Sequence, residues 1–208
     1  MASLDLTESR IYDPNTLLIL TSPENATKLL RSKAQPHWVC GYELDDSFPA
    51  PEAVIEHLKN EDVIGWRAFW LGLLIRYLLT EGPIELGDFI RQKLSQDWLS
   101  RLEEANVDGW YPLIRRNFEE ANCVLDELDE HLTATDHWLC VVYEGLEAFD
   151  VAGSYVPIRA LVGLWFDRLR RWRRLRAKIF LRPDLFHIGR LNFPDASKLS
   201  GHFIRVDG

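Results

Sequence analysis

Five short apolar runs, separated by much longer amphipathic stretches, constrain this 208-residue chain more than any other feature. Thr16 to Thr21, His37 to Leu44, Trp138 to Glu144, Ala177 to Arg182 and His202 to Val206 each have the length and composition of a strand. Apolar runs belong to strands covered on both faces, and the long segments between them supply crossover helices. The pattern therefore predicts an α/β domain with a mainly parallel five-stranded sheet. Residues 1–208 are read as one domain, because 47% hydrophobic residues over this length suffice for one substantial core.

The second and third runs are far apart, and about 51 to 132 reads as a mostly helical insertion. Within it, Trp66, Phe69, Trp70, Leu73, Leu74, Tyr77 and Leu78 recur three and four residues apart, as a helix over Val63 to Leu79 with one buried face requires. Glu81-Gly82-Pro83 ends that helix. Further helices are expected over Leu86 to Ala105 and Tyr111 to Leu132. Tryptophans at helical spacing, Trp66 with Trp70 and Trp165 with Trp172, are read as packing residues, since each buries a large apolar area.

Charge and cysteine usage narrow the function classes. A net charge of -8 argues against coating nucleic acid through the overall field. Cys40, Cys123 and Cys140 form no C-x-x-C pair, so buried free thiols in a reducing compartment are expected, without a zinc site. The start, MASLDLTESR, lacks the apolar core of a signal peptide. Trp66 to Leu79 is interrupted by Arg67 and Arg76 and is too short to span a bilayer. These features predict a cytoplasmic protein without a membrane partner. The six histidines show no H-x-x-H spacing and there is no G-x-S-x-G elbow, so a metalloprotease or serine hydrolase is not indicated.

One local exception to the acidic balance is PIRALVGLWFDRLRRWRRLR, Pro157 to Arg176, read as an amphipathic helix. Arg168, Arg170, Arg171, Arg173, Arg174 and Arg176 would surround its apolar stripe. They suit either a nucleic-acid or partner surface, or a solvated face paired with acidic helices, and the pairing is favoured. The acids Asp126, Glu127, Asp129 and Glu130 are read as the solvated side of such a helix.

LLILTSPENATKLLRSK, residues 17 to 33, has the strand, loop and helix start of a phosphate-binding loop. Taking Lys28 as the loop lysine puts Ser22, Asn25 and Thr27 at the glycine positions and Leu29 where a hydroxyl should join magnesium. Downstream, HWLCVVYEGLEAFD gives a buried strand ending in Glu144, where an acid would hold magnesium. RAKIFLRPDLF then ends a strand in Arg182, with Asp184 two residues on.

These segments, with the tryptophan- and arginine-rich stretch and FPDASKL, resemble bacterial P-loop ATPases of KAP-like and STAND-type organisation. The resemblance covers nearly the whole chain and is most specific at KIFLRPDLF. It implies a three-layer P-loop NTPase-like fold that binds ATP with magnesium and acts as a switch, sometimes in defence against mobile DNA. Carried over, Ser22, Asn25, Thr27 and Lys28 would contact nucleotide, Glu144 would hold magnesium, and Glu144, Arg182 and Asp184 would serve hydrolysis. The chain departs from the pattern at the loop glycines, at the Ser/Thr and at the strand-end aspartates. The expectation is therefore a degenerate, pseudo-ATPase domain that binds or regulates a protein partner. The alternatives are an atypical ATPase or nucleotide-sensing switch, and a nucleic-acid adaptor using the arginines.

Overall fold

The computed structural model describes residues 36–103, 106–150, 155–182 and 185, with the backbone of 17–19 and 203–205. Its strands are β1 (Leu17–Ile19), β2 (Pro36–Tyr42), β3 (Trp138–Tyr143), β4 (Leu175–Leu181) and β5 (Phe203–Arg205). They form one mixed sheet in the order β2-β3-β4-β1-β5. All six residues of β3 are buried, which is why its sequence is apolar without alternation. It lies parallel between β2 and β4, with Val39 opposite Val141 and Val141 opposite Ala177.

The parallel part is thus the three-stranded unit β2-β3-β4. β1 is the exception within the mainly parallel sheet: it pairs antiparallel with β4, Leu17 opposite Leu181 and Ile19 opposite Ile179, and antiparallel with β5. Four strands consequently point one way and β1 the other.

Six helices connect β2 to β3: α1 (Pro51–Leu58), α2 (Val63–Thr80), α3 (Ile84–Lys93), α4 (Gln96–Leu102), α5 (Val107–Arg116) and α6 (Phe118–Ala134). α2 starts where Asp62 accepts the Gly65 N–H at 2.8 Å, an N-cap that satisfies an otherwise orphan donor. It ends at Glu81, before Gly82 and Pro83. Leu71 and Ile75 are buried as well as the expected face, so α2 is wrapped nearly all round rather than on one side. By length and composition alone α2 could cross a membrane, yet 67% of its apolar window is buried inside the fold. Its apolarity is that of a core helix.

Two sequence-expected helices are each split. Ser95 caps α4 by accepting from Trp98 N–H, separating it from α3. Asn117 leaves helical geometry at φ -114°, ψ 41°, and its Nδ2 donates to the Leu113 carbonyl at 2.9 Å, closing α5 before α6 begins. Side-chain bonding to nearby backbone is what these two residue types offer in place of helix continuation.

α7 (Val156–Arg168) joins β3 to β4, after a 3₁₀ turn at Leu146–Phe149. The core places α2 and α7 on the sheet face that carries Leu139, Val141, Tyr143, Ala177 and Ile179. Trp70 lies at its centre, fully buried, with rings of Tyr42, Phe69 and Phe149 at 5.9, 5.0 and 5.1 Å and its Nε1 donating to the Pro157 carbonyl at 2.9 Å. Trp66, Trp165 and Trp172 are also buried, as packing residues should be.

Candidate functional site

Three adjacent parallel strands each release a charged residue at the same edge of the sheet. Glu43 follows β2, Glu144 follows β3 and Arg182 follows β4. The carboxyl ends of parallel strands are where α/β sheets place ligands. The chain turns sharply here, with Gly145 at φ 69°, a conformation for which glycine has no steric penalty.

The register of β2 brings the two glutamates together. The pairing slips by one residue at Gly41, so Tyr42 lies opposite Tyr143 and the Glu144 N–H donates to the Tyr42 carbonyl at 3.0 Å. Gly41 permits the slip because a methyl group there would lie 2.4 Å from the Tyr143 ring. Burial pushes the Glu43 carboxyl up to about 7, reinforced by hydrogen bonding and charge from Asp45 and Glu144. Near neutral pH Glu43 is therefore partly protonated, beside the carboxyl groups of Asp45 and Glu144. Asp45 also accepts the Ser47 N–H at 2.8 Å, and Leu44 is exposed beside the pair.

Of the residues expected to handle nucleotide, Glu144 and Arg182 follow neighbouring strands at this edge. Ser22, Asn25, Thr27, Lys28 and Asp184 lie outside the described residues. β1 runs from the level of Leu181 toward that of Ile179, so its carboxyl end points away from Glu144 and Arg182. A magnesium–triphosphate group needs its acid and its phosphate-binding loop at one edge. Among the described residues there is also no group of three His, Cys, Asp or Glu side chains arranged to hold a metal ion.

The arginine segment is only partly helical. α7 ends at Arg168, where Arg171 N–H and Trp172 N–H both donate to the Arg168 carbonyl, and the remaining residues form the turn into β4. Arg170, Arg171, Arg173 and Arg174 lie in that turn and Arg176 is within β4, correcting the expected helix to 176. Arg168 donates to Asn122, Arg171 pairs with Asp126 at 2.6 Å and Arg174 with Asp136 at 2.6 Å. Arg176 is buried and donates to the Trp172 and Leu175 carbonyls. Only the Arg170 and Arg173 side chains remain exposed without a partner among the described residues. Arg171 pairs with an acid of α6 and Arg174 with Asp136 just past its end, so pairing with acids holds for two of the six arginines, while Arg168 and Arg176 bond neutral acceptors.

Among the acids read as solvated, Glu127 and Glu130 are exposed, whereas Asp126 and Asp129 are less solvated than expected. Asp129 is buried and accepts the backbone N–H groups of Arg173, Arg174 and Leu175, while Asp126 accepts Trp172 Nε1 at 2.7 Å. Cys40 and Cys140 are buried thiols, whereas Cys123 is exposed, contrary to expectation.

Glu43 and Asp45 are the site residues that sequence reasoning missed. A signal was present: GYE at residues 41–43 and VYE at 142–144 end two apolar runs in the same way. Two strands of one parallel unit that both end in Tyr-Glu set two carboxyl groups side by side. Compared with protein-family models, curated proteins and solved structures, the chain matches none.

Proposed function

We propose that this protein is a cytoplasmic, degenerate P-loop NTPase-like domain that binds or regulates a protein partner without efficient ATP hydrolysis. The observation that carries the reading is the juxtaposition of Glu43 and Glu144 at the edge where a nucleotide would need cations. Carboxyl groups gathered at this edge disfavour a triphosphate rather than neutralise it. The altered loop residues around Lys28 support the same conclusion.

What the domain retains is a rigid scaffold. Strands β2 to β4 are held on α2 and α7 by an aromatic core, and the carboxyl ends of β2 and β3 carry Glu43 and Glu144 with exposed Leu44 between them in the chain, while β4 ends in Arg182. Such an edge suits a protein surface carrying basic and apolar side chains. Phosphate release from ATP with magnesium tests the proposal against an atypical ATPase. The expected result is turnover indistinguishable from buffer, unchanged in Glu144→Gln; turnover that disappears in Glu144→Gln would overturn it.

A further inference from the structure

The opposite, amino-terminal edge of the parallel unit carries a pair of histidines. His37 stands near the start of β2, and His137 sits in the turn between α6 and β3. Their rings stack with centroids 5.5 Å apart and planes inclined by 29°. The turn is fixed on both sides: His137 N–H donates to the Leu132 carbonyl at 2.9 Å, and Asp136, at φ 54°, pairs with Arg174. The pair thus touches an edge strand on one side and the exit of the helical insertion on the other.

We propose that His37 and His137 form an acid-responsive latch that holds the start of β2 against the α6–β3 turn. Neutral imidazoles stack through their faces, whereas two imidazolium rings at this separation repel each other. The charged groups around them do not offset that repulsion evenly. Glu85, at the start of α3, is the carboxylate acting on His37, and Asp136 is already paired with Arg174. Arg174 and Arg176 both lie over the ring of Trp138, adding positive charge beside His137. Burial and His137 hold the His37 imidazole below the ordinary histidine range, consistent with a neutral closed pair.

The first proton goes to one ring, and stacking survives as a charged–neutral pair. A second proton makes the pair repulsive, so the rings separate and the start of β2 loosens from the turn.

Histidine ring NMR on the whole chain tests the latch. A ring-to-ring nuclear Overhauser contact between His37 and His137 is expected at pH 7.5 and should vanish as the second step completes. In His137→Asn, the His37 titration should move up toward the ordinary histidine range. A ring contact that persists after both rings are protonated would overturn the proposal. So would an unchanged His37 titration in His137→Asn. The wild-type contact measurement decides the matter even if the variant does not fold.

Discussion

The Asp129 carboxylate of α6 accepts the backbone N–H of Leu175, the first residue of β4, at 2.7 Å. The same side chain takes the N–H groups of Arg173 and Arg174 at 2.8 and 2.7 Å, so one buried acid organises the whole turn from α7 into the sheet. Three successive N–H groups converging on one anion form a nest, and here the protein fills it with its own side chain. Asp129→Ala leaves these donors without a partner, at a cost of about 1–3 kcal/mol for each that stays buried. A loss of roughly 3 kcal/mol or more in urea-induced unfolding is expected, with a smaller loss for Asp129→Asn, which keeps one acceptor oxygen.

Glu43 sets a pH dependence with a definite sign. Its carboxyl is held at about 7 in the folded state, above its unfolded value of 4.5, so folding favours the protonated form. Its contribution is fully present below the unfolded value and is lost as pH rises through about 7. Urea midpoints at pH 5.5 and 8 should therefore differ less in Glu43→Gln than in wild type, with the variant the more stable at pH 8. An equal pH difference in the two proteins would remove this assignment.

Gly41 links core packing to the acidic edge. A Cβ at this position meets the Tyr143 ring at 2.4 Å, and Tyr143 directly precedes Glu144. Overpacking at such a contact costs about 1–3 kcal/mol. Gly41→Ala should lower thermal stability by that amount and shift the Glu144 backbone resonances, whereas an unshifted spectrum at unchanged stability would show that the register slip does not depend on glycine.

The arginines divide into two groups with different expected behaviour. Arg170→Gln and Arg173→Gln should leave stability within about 0.5 kcal/mol, as surface substitutions without partners do. Arg174→Gln loses the Asp136 pair and the cation held 4.8 Å over the Trp138 ring, and should destabilise more. With most of the cluster bonded internally, the chain should show no salt-sensitive binding to DNA or RNA at low salt. Binding that vanishes when Arg170, Arg171, Arg173 and Arg174 are neutralised together would restore the adaptor reading.

How much was legible in the sequence depended on where the determining contact lay. The run WLCVVY announced a buried strand because both of its faces are covered, and the helical spacing of Trp66 and Trp70 announced core packing. Helix ends at Ser95 and Asn117 were hidden, since a cap is decided by single hydrogen bonds that the apolar periodicity does not register. The arginine stretch read as helix to residue 176 because its apolar spacing continues past Arg168. Beyond the helix end the backbone is held by a distant acid, Asp129, 44 residues from the Arg173 N–H that it accepts. At the candidate site, Glu144 stood out through the strand it ends, but its neighbour Glu43 emerged only once the parallel register set Tyr42 opposite Tyr143. The reversed pairing of β1 with β4 has no counterpart in the apolar run itself, which reads the same for either direction.

Equilibrium binding of ATP and ADP, with and without magnesium, tests the central claim most directly. The acidic carboxyl edge and the altered loop predict no saturable binding of either nucleotide through the millimolar range, in wild type and Lys28→Ala alike. Micromolar, magnesium-dependent ATP binding that Lys28→Ala abolishes would contradict the account.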